Sequence, residues 1–254
     1  RIADVKEVGS EDELLPSLLL LYVKKDGRYK ARLVACGNFQ RAGGTEVHAT
    51  VAAQEDWMTL IAMGIRCGWS VAGVDIKTAF LQTDPSFSRV GNKRTFLRVP
   101  RGLGVDTAKV LEVLRSIYGL RTAQRQWQAT FIAAMEAKGC KTSTYSECLM
   151  TGTFAGEPVI IITYVDDIIV LGPRKGTEAA LAAVREQFKT NEPQFLEECS
   201  AEAPFTFLGS ALYLQGCAAD RKLVVSQQHY VEEMAGTFSD DVTSVSSLRE
   251  QHFL

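Results

Sequence analysis

Two adjacent carboxylates, Asp166 and Asp167, lie in the middle of an apolar, β-branched run that extends from residue 160 to residue 170. β-branched residues favour a pleated, largely buried strand, and an unpaired carboxylate in such a strand has a high desolvation cost. Two interpretations fit this pattern. The pair forms a tight hairpin turn in which water reaches both side chains, or it forms a site for a divalent metal ion.

A third carboxylate, Asp75, lies at the end of a second apolar strand, 91 residues before Asp166. Pairing of the two strands would bring three carboxylates together, where they would repel one another without a cation. Two Mg²⁺ ions, about 3.5–4 Å apart, would relieve this repulsion and activate a hydroxyl. Oxygen ligands favour Mg²⁺ or Mn²⁺ over zinc. The residues indicate two-metal phosphoryl transfer and leave open a polymerase, a nuclease or a phosphatase.

The composition is that of a folded protein, with 254 residues of which 46% are hydrophobic and 23% are charged. No apolar run approaches the roughly 18 residues that span a bilayer, so we expect no membrane partner. The six cysteines form no Cys-x-x-Cys pair and lie far from the three histidines, which disfavours a zinc site or a disulfide framework. Reduced thiols predict an intracellular protein, in a cytoplasmic particle or in the nucleus. With neither an initiator Met nor a signal peptide, the chain is expected to be part of a longer polypeptide.

Charge is distributed unevenly along the chain, although the net charge is only −2. Residues 24–127 contain 17 Lys or Arg against 8 Asp or Glu, whereas residues 128–254 contain 9 against 17. This asymmetry predicts one surface that faces a polyanion. Two ordinary solvated faces remain the alternative.

Hydrophobic patterns predict an α+β fold with an antiparallel sheet, because hairpins rather than βαβ crossovers join the strands. The clearest hairpin pairs residues 18–23 with residues 29–36 around Asp26-Gly27, a strong turn signal. This hairpin is basic, with Lys24, Lys25, Arg28, Lys30 and Arg32. The other predicted strands are 71–76, 95–99, 158–165, 168–171, 205–214 and 223–226. The predicted helices are 54–67, one from 121 to a stop at Gly139 with Trp127, Phe131 and Met135 inward, one capped by Thr177 with Leu181, Val184 and Phe188 inward, and 227–236.

Five short motifs, in this order, resemble those of the reverse transcriptase domain of copia-type long-terminal-repeat retrotransposons. They are KARLVACG at 30–37, VDIKTAFL at 74–81, IYGLR at 117–121 with RQW at 125–127, YVDD at 164–167, and FLG at 207–209. The match runs from about residue 18 to residue 236. One such string is weak support, whereas five in order with family-like gaps are specific.

The resemblance implies the fingers and palm of a right-hand polymerase, with an antiparallel palm sheet and a missing or truncated thumb. The fingers would be about 18–70 and 82–127, the palm about 71–81 and 128–222, and the start of the thumb about 223–236. Residues 1–17 and 237–254 would be N-terminal and C-terminal flanks.

The resemblance also assigns roles to individual residues. Asp75, Asp166 and Asp167 would be catalytic and, with Ile76, would bind two Mg²⁺ ions, or Mn²⁺, for attack of a primer 3′-hydroxyl on a dNTP. The dNTP would contact Lys30, Arg32, Ile76, Lys77, Thr78, Ala79 and Phe80, with the Phe80 ring excluding a ribose 2′-hydroxyl. The primer and template would contact Tyr118, Gly119, Tyr164, Val165, Phe207, Leu208 and Gly209. Trp127 is expected to pack a helix rather than to touch substrate.

The expected partners are an RNA or DNA template, a DNA or tRNA primer, and dNTPs. Cys36 and Gln124 stand where this family commonly has an arginine and a proline. A degenerate or co-opted remnant that binds nucleic acid without catalysis is therefore a second interpretation. A two-metal nuclease ranks last, because it would need a histidine or lysine base and no histidine lies beside a carboxylate motif.

Overall fold

A computed structural model describes residues 1–23, 27–41, 47–90, 93–100, 103–106, 108–216 and 221–237. The helices in these ranges are α1 Gln54–Arg66, α2 Ala123–Glu136, α3 Arg174–Gln187 and α4 Gln228–Thr237. The strands are β1 Ile2–Asp4, β2 Glu13–Leu15, β3 Ser17–Val23, β4 Tyr29–Ala35, β5 Ser70–Asp75, β6 Arg89–Val90, β7 Lys93–Arg98, β8 Lys109–Glu112, β9 Lys141–Thr142, β10 Leu149–Phe154, β11 Glu157–Tyr164, β12 Asp167–Gly172, β13 Gln194–Phe195, β14 Phe205–Phe207, β15 Ser210–Gln215 and β16 Lys222–Ser226.

A six-stranded antiparallel sheet in the order β13-β5-β12-β11-β10-β9 forms the centre of the molecule. Its inner strands consist largely of Val, Ile and Ala, which suit a pleated surface buried on both faces. This confirms the predicted α+β class with an antiparallel sheet. The sheet therefore offers a rigid frame for any side chain at the ends of its central strands.

Helices α2 and α3 cover one face of this sheet, and α1 covers the other with a three-stranded sheet formed by β14, β15 and β16. Alternate residues of β5 divide between the two cores, since Ala72 and Val74 belong to one cluster and Val71 to the other. Gly73 lies under the Phe205 ring, where a Cβ atom would be 2.4 Å from Phe205 Cζ. The inward residues predicted for the second and third helices are all buried: Trp127, Phe131, Met135, Leu181, Val184 and Phe188.

A second sheet, in the order β1-β8-β7-β2, joins the N-terminal segment to residues 93–112, with β6 paired to β7. Strand β1 pairs antiparallel with β8, and β2 pairs parallel with β7. Ala3 and Leu15 are buried in this region. The segment that the sequence analysis sets apart as an N-terminal flank thus contributes two strands to the described fold. The division into flanks, fingers, palm and thumb stays a prediction.

The basic hairpin is present as β3 and β4, paired from Ser17 opposite Ala35 to Val23 opposite Tyr29. The predicted turn residues Lys24, Lys25 and Asp26 lie outside the described residues. The base of the hairpin is fixed to the segment before α2, because the Ala35 N–H donates to the Tyr118 carbonyl at 2.8 Å.

Several local predictions were wrong. The predicted strand 205–214 is two strands, β14 and β15, joined by a tight turn at Leu208-Gly209, where both residues have positive φ. Helix α3 begins at Arg174 rather than at a Thr177 cap, and the Thr177 hydroxyl instead donates to the Gly172 carbonyl at 3.1 Å. Strands β8 and β10 were missed. Of the predicted C-terminal flank, 237–254, all but residue 237 falls outside the described ranges.

Within the described ranges, no helix is both long and apolar enough to cross a membrane.

Candidate active site

The pairing of β5 with β12 brings the predicted carboxylates together where these two inner strands meet the end of the central sheet. This group of Asp75, Asp166 and Asp167 is called the acidic edge below. Asp75 is the last residue of β5 and Asp167 the first of β12, and they lie directly opposite each other in the antiparallel register. The pairing continues one step further, because the Ile76 N–H donates to the Asp166 carbonyl at 2.7 Å. Asp75 and Asp167, which are 92 positions apart in the chain, are thus neighbours in the sheet, as the predicted metal site requires.

A strained turn holds the carboxylate pair at this edge. Strands β11 and β12 are joined by Val165 and Asp166, and Val165 has a φ of 53°. This left-handed conformation is rare for a β-branched residue and costs about 1–3 kcal/mol. The Trp127 indole N–H donates to the Val165 carbonyl at 2.5 Å. A hydrogen bond from a buried side chain of the core therefore holds the turn. Trp127 also packs in the core cluster, which confirms the prediction that it packs its helix.

The three carboxylates act on one another electrostatically. Burial, together with the negative charges of Asp166 and Asp75, raises the pKa of Asp167 from 3.8 to about 6. A divalent cation would relieve both repulsions. Among the described residues, no three Asp, Glu, His or Cys side chains already form a metal-binding group. The oxygen donors and their mutual repulsion suit Mg²⁺ or Mn²⁺ rather than zinc.

Asp75 has a partner that the sequence analysis missed. The Asn191 side-chain amide donates to Asp75 Oδ2 at 2.5 Å, and the Asn191 backbone N–H donates to the Asp75 carbonyl at 2.9 Å. Close to this pair, the Gln82 side chain forms hydrogen bonds with the backbone of Lys77 and of Lys189. Neither Asn191 nor Gln82 lies in a recognisable motif, so only the tertiary pairing identifies them.

An aromatic pair connects the basic hairpin to the acidic edge. The Arg32 guanidinium lies 4.8 Å from the centre of the Tyr118 ring, and the Phe80 ring meets Tyr118 edge to face at 4.9 Å. Burial raises the pKa of Tyr118, Arg32 opposes this shift, and the charges of Asp166 and Asp75 add to it. Tyr118 is thus within electrostatic range of both groups. The structure brings together five predicted site residues: Arg32, Phe80, Tyr118, Asp75 and Asp166.

The other predicted nucleotide contacts divide into exposed and buried residues. Lys77 and Thr78 are exposed, and Thr78 has a left-handed φ of 51°. The side chains of Ile76 and Ala79 are buried in the core, so only their backbone atoms could meet a ligand. Lys30 is half-buried beside Tyr22 on the hairpin, with Nζ 5.7 Å from the ring centre.

Two glycines allow the hairpin base to approach the Tyr118 segment closely. Gly119 has a φ of +89°, and a Cβ atom there would lie 2.0 Å from the Ala35 carbonyl oxygen. A Cβ atom at Gly37 would lie 2.1 Å from the Gly119 carbonyl oxygen. Gly119 therefore has a structural role, which is to allow this close approach of the two backbones. Its predicted contact with a template is a separate matter.

Three of the residues predicted to contact a primer, Tyr164, Phe207 and Leu208, lie in the hydrophobic cluster on the α1 side of the sheet. Phe207 is buried, with its ring 5.3 Å from the Trp57 ring centre, so its side chain is a packing group. Tyr164 and Leu208 are partly buried and pack against the same cluster. The exposed part of this motif is the turn at Gly209. Their roles in primer binding stay predictions.

Comparisons with known proteins agree with the motifs. Residues 20–195 match the family model described as reverse transcriptase (RNA-dependent DNA polymerase). The retrovirus-related Pol polyprotein from transposon TNT 1-94 of Nicotiana tabacum is 29% identical over 233 residues, covering 85% of this chain and 16% of the polyprotein. The truncated transposon Ty1-A Gag-Pol polyprotein of Saccharomyces cerevisiae is 24% identical over 217 residues, covering 84% and 17%.

A solved structure of the foamy viral protease-reverse transcriptase in complex with double-stranded DNA is similar at 12% identity, covering 96% of this chain and 34% of that one with a TM-score of 0.42. The chain spans about one sixth of the length of the curated relatives described above. Similarity to these transposon polyproteins confirms the resemblance to copia-type elements. With the family model covering more than half of its length, this chain belongs to the reverse transcriptase (RNA-dependent DNA polymerase) family.

Proposed function

We propose that this chain is the polymerase domain of a retrotransposon polyprotein and that it extends a DNA or tRNA primer on an RNA or DNA template. The observation that carries the proposal is the strand register, which sets Asp75 opposite Asp167 with Asp166 in the adjoining turn. A sheet buried on both faces gives this acidic edge the rigidity that a two-metal site needs.

In the proposed reaction, the primer 3′-hydroxyl attacks the α-phosphate of a dNTP and pyrophosphate leaves. Asp75, Asp166 and Asp167 would hold two Mg²⁺ ions, with the Ile76 backbone carbonyl as a further ligand. When bound, the ions supply the charge that activates the hydroxyl and stabilises the leaving group. The chain itself must keep three carboxylates together against their repulsion, a repulsion that the raised pKa of Asp167 reflects.

Arg32 and Lys30 would bind the triphosphate, since a guanidinium fork and an ammonium charge both suit phosphate oxygens. The exposed residues Lys77 and Thr78 would lie along the same phosphates. The Phe80 ring would lie under the sugar and exclude a ribose 2′-hydroxyl. Tyr118 supports this role because it fixes the Phe80 ring from one side while its own ring contacts Arg32.

Primer contacts would come from the other side of the acidic edge. Tyr164 precedes the catalytic turn and Val165 lies within it, and Leu208, in the turn with Gly209, packs against the same hydrophobic cluster as Tyr164. We place the primer terminus between these two turns. Gly119, at the hairpin base, would border the template.

Primer extension on a homopolymer RNA template with Mg²⁺ tests this function. We expect the chain to incorporate dNTP, and we expect Asp166→Asn to lower the rate by about three powers of ten, because metal-held charge contributes several kcal/mol to such a transition state. The control is Asp106→Asn, which removes an exposed carboxylate that accepts a hydrogen bond from the nearby Ala108 N–H. Equal incorporation by the unchanged chain and Asp166→Asn contradicts the proposal.

A non-catalytic remnant is the second candidate, and the lack of a preformed three-ligand group among the described residues favours it. A remnant would bind primer–template duplex with the same affinity before and after Asp166→Asn and would incorporate no dNTP in either form. Filter binding beside primer extension separates the two functions.

A further inference from the structure

The segment that follows α3 forms a short strap along the strand end that carries Asp75. The Lys77 N–H donates to the Lys189 carbonyl, and the Asn191 N–H donates to the Asp75 carbonyl, both at 2.9 Å. Between them, Ile76 and Thr190 form an antiparallel bridge. The strap, residues 189–191, therefore extends the sheet beside the acidic edge.

Gln82 locks this strap in place. Its amide nitrogen donates to the Lys77 carbonyl at 2.6 Å and to the Lys189 carbonyl at 3.1 Å. Its amide oxygen accepts from the Lys189 N–H at 2.7 Å. One side chain thus joins both strands of the bridge, and the position of Asn191 does not depend on contacts from its own side chain.

From this fixed backbone, the Asn191 amide reaches Asp75 Oδ2 at 2.5 Å. A hydrogen bond from an amide to a carboxylate is charge-assisted and directional, so it selects one orientation of the carboxyl group. The amide is neutral and donates through N–H. It adds no charge that would compete with a cation, in contrast to a lysine or arginine at the same place.

We propose that Asn191 is a positioning residue, which orients the Asp75 carboxylate for divalent metal binding. The inference rests on the proposed function, since it needs Asp75 to be a metal ligand. Carboxylates that bind metals are themselves held by hydrogen bonds, and loss of such a partner typically lowers metal affinity or activity by about 10- to 100-fold.

Direct Mn²⁺ binding to the whole chain, followed by water proton relaxation, provides the test without any need for turnover. Asn191→Leu keeps the size and the backbone hydrogen bond and removes the donor. We expect it to weaken Mn²⁺ binding by about 10-fold, and Asn191→Ala to do the same. Asn191→Gln restores a donor and is expected to recover most of the affinity. None of the three should shift the thermal unfolding midpoint, because Asn191 is exposed.

Gln228→Leu is the matched control, since Gln228 also donates an amide hydrogen bond to a carboxylate, Glu232, at 2.7 Å, but on α4. We expect its Mn²⁺ affinity to equal that of the unchanged chain. The proposal is overturned if Asn191→Leu and Asn191→Ala bind Mn²⁺ normally, or if Asn191→Gln binds as weakly as Asn191→Leu. Asp75→Asn separates an error in the role of Asn191 from an error in the proposed function. If Asp75→Asn leaves Mn²⁺ binding intact, Asp75 is not a metal ligand and both proposals are wrong.

Discussion

The acidic edge and the basic hairpin are anchored in opposite ways. Asp75 is the last residue of β5 and Asp167 the first residue of β12, two inner strands of a six-stranded sheet that is buried on both faces. The hairpin of β3 and β4 is a two-stranded sheet of its own, and Leu21 and Tyr29 on it are 72% and 91% exposed. Two-stranded sheets are marginally stable alone. The basic side chains therefore depend on the hairpin base, whereas the carboxylates depend on the core.

The largest effect is expected where the hairpin base meets the segment before α2. Gly119→Ala places a Cβ atom 2.0 Å from the Ala35 carbonyl oxygen and forces a side chain into a positive φ. We expect a loss of about 2–4 kcal/mol in the free energy of unfolding and a raised KM for dNTP. Urea denaturation and steady-state primer extension measure the two effects.

Gly156→Ala is the matched control for this change. Gly156 also has a positive φ, of +83°, but a Cβ atom there meets nothing within 4 Å. Only the backbone strain remains, about 1 kcal/mol. Equal losses for both variants would show that the hairpin base is not the special contact described above. Mn²⁺ affinity should stay normal in both, because the acidic edge does not depend on the hairpin.

The next effect concerns the strained turn on the acidic side. Trp127→Phe removes the indole N–H that donates a hydrogen bond to the Val165 carbonyl, and it reduces the packing beside the turn. We expect a loss of about 2 kcal/mol in the free energy of unfolding, together with slower primer extension because the turn carries Asp166.

Phe131→Leu on the same helix provides the comparison, because it also removes buried volume but leaves the hydrogen bond from the Trp127 N–H to the Val165 carbonyl in place. It should lower stability but leave the primer-extension rate per folded molecule unchanged. If both variants slow the reaction equally at matched stability, the Trp127 hydrogen bond has no specific part in holding the turn.

The smallest effect is a pH-dependent gain in stability. Burial and neighbouring charge raise the pKa of Asp167 from 3.8 to about 6, so ionisation of Asp167 destabilises the folded chain. The penalty is absent below the unfolded pKa of 3.8, grows as pH rises from there to about 6, and is full above that. Asp167→Asn should therefore stabilise the metal-free chain at pH 7.5 by about 1 kcal/mol, after a discount for solvent screening.

Urea denaturation in EDTA at pH 4 and pH 7.5 measures this gain, which should disappear at the lower pH. Asp106→Asn serves as a surface control and should show no such trend. A gain that is the same at both pH values would mean that charge is not its cause.

The sequence predicted best the elements with strong periodicity. The stripe of Trp127, Phe131 and Met135 identified a helix, and the β-branched runs identified the strands that carry the carboxylates. The short strands β1 and β2 have three residues each, too few for a period of two to be visible. The turn at Leu208-Gly209 was missed although Gly209 favours a positive φ, because the residues on both sides of it together fit one strand pattern.

The candidate site shows the same division. Side chains with distinctive chemistry, such as Asp75, Asp166 and Arg32, could be found from residue type and motif order. Asn191 and Gln82 could not, because an exposed amide has no signature until the tertiary fold sets its hydrogen-bond partner. The strain at Val165 is likewise invisible in a sequence in which valine simply continues a strand.

The parallel pairing of β2 with β7 has a practical consequence for anyone who trims this protein. The matched family region begins at residue 20, which makes that position a natural place to cut. Deletion of the preceding residues would strip a neighbouring strand from each side of the β7–β8 pair and would remove the buried Ala3 and Leu15. Bare strand edges invite intermolecular pairing, so a shortened chain would precipitate or oligomerise for reasons unrelated to its chemistry.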